Sequence, residues 1–225
     1  APVYGSSKWV TVGNANSAST YGAYSTNNGV SWTSITMPAS IYWGSIAYGA
    51  GVFVACAGQY SNTTSNASSS YAYSSNGTTW TLGSLSSALW SSVVYNGNGV
   101  FCISSSSGAG GSPYYSLSTN GGQTFTYYTT GLLNAYVTGR MVGGGGYLVS
   151  LPNNANGNAG SYSANGTSWT SLNLASTSNW YTGVYTNASF VLIPTPGSST
   201  TVSVFNGTAQ LPASFTITAG PTTIY

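Results

Sequence analysis

One phrase occurs four times along the 225 residues: a large apolar residue, serine, a small residue, asparagine with glycine, two further residues, and then an aromatic ring. It reads YSTNNGVSW from Tyr24 to Trp32, YSSNGTTW from Tyr73 to Trp80, LSTNGGQTF from Leu117 to Phe125 and YSANGTSW from Tyr162 to Trp169. With Trp32, Trp80, Phe125 and Trp169 as markers, the spacings are 48, 45 and 44 residues. A period of this size describes units too small to bury a core alone, so they must stack on one another.

A second phrase precedes each of these: a strand ending in Tyr, a Gly-rich turn, and then a β-branched or aromatic strand. It is IAYGAGVFVA around Phe53, VVYNGNGVFCI around Phe101, MVGGGGYLVS around Leu148 and VYTNASFVLI around Val191. A degenerate copy, VYGSSKWVTV, opens at Val3, and a weaker Asn-Gly phrase at Asn206-Gly207 completes five units. Asn-Gly pairs between alternating runs predict hairpins with type I′ turns, in which both central residues take positive φ. No segment holds a helical apolar period over about ten residues. The expectation is an all-β chain: one five-bladed β-propeller domain over residues 1–225, its four-stranded antiparallel blades at about 1–38, 39–85, 86–130, 131–175 and 176–225.

The Ser-x-Asn-Gly-x-x-Trp phrases resemble the Asp-box repeat of sialidase-like β-propellers, and more closely the YSxDGxxW blades of phage and bacterial surface proteins. Asn stands where the box has Asp, at Asn27, Asn76, Asn120 and Asn165, in one of two turn lengths. Asn tolerates the left-handed region and makes the same local Asx-type hydrogen bonds, so the turn survives the exchange. In those families the box is a structural turn away from any active site. The resemblance therefore implies architecture and not activity.

Composition narrows the chemistry. Lys8 and Arg140 are the only charged side chains, and the chain has no Asp, Glu or His. General acid/base catalysis, Ser-His-Asp triads, paired-carboxylate glycosidases and His or carboxylate metal sites all need side chains that are absent. Sialidase chemistry with a Tyr nucleophile would still want a carboxylate partner and several arginines. The expectation is a non-enzymatic protein without metal or cofactor. Two isolated cations give no basic stripe for nucleic acid, and without a run of 18 apolar residues no membrane insertion is expected. Ala1 to Lys8 lack the charged and apolar regions of a signal peptide, so the chain reads as a mature or excised segment. Almost nothing titrates between roughly pH 4 and pH 8. That suits extracellular life in acid or otherwise harsh water, and a biased host composition would give the same picture.

In a propeller the second-to-third loops share one face with the inter-blade connections. The long loops fall there: Gly13 to Gly22, Gly58 to Ser70, Ser104 to Ser112, Pro152 to Gly160 and Pro194 to Ser199. Polar loops on a rigid scaffold are where binding is usually placed. The aromatics that begin the innermost strands, Tyr42, Trp43, Trp90, Tyr136, Trp180 and Tyr181, should approach the same face. They would either stack on a sugar or pack between blades. The rings that end the boxes read as inter-blade core. Arg140, in the innermost strand of the fourth unit, could grip an anionic group or lie across a neighbouring ring. Lys8 reads as a solvated turn end.

Cys56 and Cys102 lie on second strands of adjacent blades but two positions out of register, leaving a disulfide or two buried thiols open. Asn-x-Ser/Thr sequons at Asn62, Asn66, Asn76, Asn165, Asn187 and Asn206 are candidate glycosylation sites, with Asn62 and Asn66 in the longest loop. Ala1 to Tyr4 resembles the tail of an innermost strand, and Thr222 to Tyr225 resembles the same strand again. They would share one slot, or one would pair with a neighbouring subunit, or the chain belongs to a longer protein. Two functions follow. One is a recognition or adhesion module, extracellular or on a cell or virion surface, that binds a glycan or cell-surface receptor. The other is a self-associating structural subunit of a filament, sheath or virion, which near-zero charge would favour.

Overall fold

The computed structural model describes residues 1–13, 18–58, 68–105, 114–129, 140–152, 158–195, 202–206 and 210–211. These residues form five sheets, each of four antiparallel strands in chain order. Sheet 1 holds β1 (Val3–Gly5), β2 (Lys8–Val12), β3 (Ser19–Ser25) and β4 (Thr33–Ile41). Sheet 2 holds β5 (Trp43–Gly49), β6 (Val52–Ala57), β7 (Ser68–Ser74) and β8 (Thr81–Ala88). Sheet 3 holds β9 (Trp90–Tyr95), β10 (Phe101–Ser105), β11 (Tyr115–Ser118) and β12 (Thr126–Tyr128). Sheet 4 holds β13 (Met141–Gly144), β14 (Tyr147–Ser150), β15 (Ala159–Ser163) and β16 (Thr170–Asn173). Sheet 5 holds β17 (Trp180–Thr186), β18 (Ser189–Pro194), β19 (Ser203–Phe205) and β20 (Gln210–Leu211).

The type I′ turns sit elsewhere than the Asn-Gly reading places them. They join the first and second strands, at Ser6-Ser7, Ala50-Gly51, Gly145-Gly146 and Asn187-Ala188, where both residues have positive φ. Only one of these pairs contains an Asn and none is Asn-Gly. In the boxes at Asn76 and Asn165 the glycine alone takes positive φ, at Gly77 and Gly166. The asparagine instead turns its carboxamide inward, and Asn76 Oδ1 accepts from the backbone N–H of Thr78 and of Thr79 at 2.9 and 2.8 Å. The box serine completes the closure: Ser74 Oγ donates to Asn76 Oδ1 at 3.1 Å and accepts from Gly77 N–H at 2.8 Å. Ser25, Ser118 and Ser163 do the same in their own units, and all four serines are buried. Loop ends also differ from expectation, since β3 begins at Ser19 and already contains Gly22.

The sheets pack face to face in series. Val10, Val12, Ile35 and Met37 of sheet 1 meet Trp43, Phe53 and Ala72 of sheet 2. Val54, Cys56 and Tyr71 of sheet 2 meet Trp90, Phe101 and Ile103 of sheet 3. Cys102 and Tyr115 of sheet 3 meet Met141 and Leu148 of sheet 4, and Val149 and Leu172 of sheet 4 meet Trp180, Phe190 and Phe205 of sheet 5. Two contacts set the spacing. The tyrosine that closes an innermost strand lies flat on a glycine of the preceding sheet, Tyr48 on Gly5, Tyr95 on Gly49 and Tyr185 on Gly144 and Gly145. Each later box also sits on the preceding sheet, Gly77 against Val10, Gly122 against Val54 and Gly166 against Leu117.

Sheet 3 departs from the pattern with a five-residue connection, Asn96 to Val100. Asn96 is fully buried and satisfied. Its Oδ1 accepts from Asn98 N–H and Val100 N–H, while its Nδ2 donates to Gly146 O and Ala164 O, both in turns of sheet 4. This polar staple stands where a Tyr-Gly contact stands in the other junctions.

These contacts bring the first-to-second hairpins of successive sheets together at one end. The second strands therefore end, and the third strands begin, at the opposite end, as expected from the order of strands. The outer faces of sheets 1 and 5 are less covered: Tyr4 is 55% exposed, Tyr21 71% and Val184 49%. Trp32 is the exception among the box rings at 42% exposed, whereas Trp80 is buried and Phe125 and Trp169 pack edge-on against Tyr71 and Tyr115 of their preceding sheets.

A methyl group at Gly49 would stand 2.2 Å from the Tyr95 ring, with no positive φ to complicate the exchange. Gly49→Ala is expected to cost about 1–3 kcal/mol by overpacking. Urea unfolding checks this, and adding Tyr95→Ala should give a double variant less destabilised than the sum of the two.

Candidate functional site

At the loop end, the register places the ring at the start of each innermost strand beside the second-to-third connection: Trp43 pairs with Ala57, Trp90 with Ser105 and Trp180 with Pro194. All three indoles are buried, at 0, 1 and 0% exposure. They cannot serve as open stacking platforms, which corrects that half of the sequence expectation. The indole N–H of Trp43 donates to Ala39 O and that of Trp90 to Ser86 O, each at 3.2 Å and each four residues back. Each ring thus pins the outermost strand of one sheet to the innermost strand of the next.

Tyr42 lies half-buried between β4 and β5, and its carbonyl accepts from Gly58 N–H at 2.7 Å. Tyr136 lies outside the described residues. Tyr181 stays 57% exposed, and the Arg140 guanidinium lies over its ring at 5.3 Å. Arg140 immediately precedes β13 and donates to Trp180 O, so one cation joins sheet 4 to sheet 5. Burial pushes its pKa below the ordinary guanidinium value and the Tyr181 phenol opposes that. It remains a cation at neutral pH. The structure therefore brings Arg140, Trp180 and Tyr181 together at the junction of sheets 4 and 5. Trp43 and Trp90 belong to other junctions.

At the opposite end a cleft of about 470 Å³ opens between the boxes of sheets 2 and 3. Val52, Tyr73, Asn76, Thr79, Thr81 and Gln123 are among the residues that line it. The Tyr71 hydroxyl crosses the junction to Gln123 O. Sequence reasoning did not find this cleft. Alternation alone could place Tyr73 opposite Thr81, but joining them to Gln123 needed the packing of sheet 3 on sheet 2.

Lys8 is not a solvated end: it starts β2, donates from Nζ to Asn76 O at 2.9 Å and lies over the Tyr24 ring at 5.4 Å. Cys56 and Cys102 are free and buried in successive junctions, with sheet 3 between them. Cys102 Sγ packs 3.3 Å from Met141 Sδ. Burial pushes the Cys56 thiol from its ordinary 9.0 to about 12 and raises Cys102 as well. Neither is poised as a nucleophile. Among the described residues no three His, Cys, Asp or Glu side chains cluster as metal ligands, and no helix is long and apolar enough to cross a membrane. Of the sequons, Asn76, Asn165, Asn187 and Asn206 are exposed, while Asn62 and Asn66 lie outside the described residues.

If Trp43 is the structural pin described, Trp43→Ala should lower stability by about 3–5 kcal/mol in urea unfolding, a loss that an exposed ligand platform would not show. The pH profile is a second test. The phenols of Tyr71, Tyr115 and Tyr127 and both thiols are raised, chiefly by burial. A folded pKa above the unfolded one means that stability is complete below the unfolded value and lost as pH rises toward the folded value. Thermal unfolding should therefore be flat from about pH 4 to pH 8 and fall above about pH 9.

No family model matches the sequence, and no curated protein matches it. The fold is similar to solved structures. A streptogramin B lyase superimposes with a TM-score of 0.70 at 10% identity, over 97% of this chain and 68% of that one. The YCF48 protein bound to a D1 peptide gives 0.54 at 13% identity, over 88% of this chain and 58% of that one. Trypanosoma rangeli sialidase gives 0.54 at 12% identity, over 90% and 45%. The chain thus spans less than two thirds of the YCF48 and sialidase chains. At these identities the likeness is one of fold alone: a β-propeller-like stack of sheets, similar in fold to sialidase and YCF48 propellers.

Proposed function

We propose that the chain is a closed five-bladed propeller whose outer faces on sheets 1 and 5 meet, and that it works outside the cell as a non-catalytic recognition module. The observation that carries this reading is the common end at which the second strands end and the third strands begin, on a scaffold tied by four inter-sheet cores. Such an end can vary in sequence without disturbing the packed sheets. Its partner is a glycan or a cell-surface receptor read by shape, hydroxyls and rings, because the chain has two cations and no acid to offer. Absence of any carboxylate or imidazole supports a role without turnover. YCF48 in complex with a peptide and the two enzymes above share the fold, so fold does not choose between binding and catalysis.

A structural subunit is the second reading, favoured by one observation: Tyr4, Tyr21, Trp32 and Val184 leave apolar surface on the two end sheets, which a neighbouring copy could cover. Thr222 to Tyr225, the other segment expected to pair with a neighbouring copy, lies outside the described residues. Light scattering separates the readings, since the closed ring stays monomeric while the subunit forms polymer. Replacing residues 59–67 with a Gly/Ser linker should abolish binding on a glycan array or to cells while leaving the unfolding free energy within about 0.5 kcal/mol. Binding that survives replacement of every such loop, or turnover of a substrate, would end the recognition reading.

A further inference from the structure

The boxes come in two lengths, and the length decides what the asparagine nitrogen does. In the longer form Asn27 Nδ2 donates to Ser31 Oγ at 2.8 Å, and Asn120 Nδ2 to Thr124 Oγ1 at 2.7 Å. The amide nitrogen is thereby tied back to its own turn. Neither asparagine begins a sequon, because glycine follows two positions on at Gly29 and Gly122. In the shorter form, Asn76-Gly77-Thr78 and Asn165-Gly166-Thr167, only the carbonyl oxygen is engaged: it accepts two backbone N–H groups and the serine hydroxyl. None of the described residues takes a hydrogen bond from Nδ2 of Asn76 or Asn165, and both residues are exposed. The carboxamide is held rigidly by its oxygen, which leaves its nitrogen as the outward group.

We propose that Asn76 and Asn165 are N-glycan acceptors, selected over Asn187 by this short-box geometry. Asn187 occupies a left-handed turn position, and its Ser189 is already paired in the β17–β18 ladder. At Asn76 the neighbouring cleft gives the first sugar a seat, with the Tyr73 ring as a wall and Thr79, Thr81 and Gln123 as hydrogen-bonding groups. Such a site recognises a neutral sugar without any charge. In the transfer, Nδ2 attacks C1 of a polyprenyl-phosphate-linked oligosaccharide presented by a cellular transferase. The N–C1 bond forms, the bond from C1 to the phosphate oxygen breaks, and the Nδ2 proton leaves with the released lipid phosphate. Afterwards Nδ2 retains one hydrogen and Oδ1 keeps its three acceptor bonds, so the box is undisturbed. The inference rests only on the extracellular part of the proposed function.

The test is to secrete the full chain from a eukaryotic cell line and map its glycopeptides by mass spectrometry. Asn76 and Asn165 are expected to carry glycan. Thr78→Ala should remove one glycan, that at Asn76, and leave the unfolding midpoint unchanged, because Thr78 serves the box through its backbone N–H. A bare Asn76 or a bare Asn165 in the secreted, folded protein overturns the proposal, as does a glycan at Asn76 that persists in Thr78→Ala. A protein glycosylated as expected that binds no glycan or cell would sink the recognition function alone.

Discussion

A buried serine hydroxyl holds each box together, and the inter-sheet junctions depend on it. In four units it donates to the asparagine carbonyl and accepts from a glycine N–H, at 2.8–3.1 Å in every case. Each bond has a modest net value, about 1 kcal/mol, but an unpaired buried hydroxyl or amide would cost more than that. The closed turn then offers a bare glycine to the preceding sheet, so three of the boxes become inter-sheet spacers as well as hairpins. Trp32 shows the converse. Its box is formed as well as the others, yet the ring stays exposed at the start of the series, where none of the described residues places a preceding sheet against it.

A chain with almost no charge must do its polar work with hydroxyls, carboxamides and backbone. The fully bonded Asn96 and the buried box serines fill the places where ion pairs stand in other proteins. The two cations follow the same economy. Lys8 and Arg140 each lie over a tyrosine ring and donate to a backbone carbonyl across a junction. They are fasteners between sheets, which removes both from the stock of groups that could steer a charged partner.

Much of this was legible in residue order. The four boxes and their spacing implied four-stranded units that stack, and five sheets of four strands are present. The loop end was also legible, because antiparallel order alone sends alternate connections to opposite ends. Local turn chemistry misled at the Asn-Gly pairs, where a carboxamide that can accept three bonds outweighs the preference of Asn for positive φ. The tryptophans misled for another reason. Position at a strand start says where a ring begins, but whether Trp43, Trp90 and Trp180 face solvent is decided by the outer strand of the preceding sheet.

By itself the sequence determined the unit, its strand count and which side chains the fold has to work with, because period, turn residues and missing carboxylates are properties of the chain that no packing can change. Only the tertiary structure decided which rings are core and which are surface, which glycines carry a neighbour's tyrosine, and that Tyr73 and Gln123 share a cleft. Those depend on contacts between residues about one repeat apart, and a linear pattern does not encode the angle and offset at which two sheets meet.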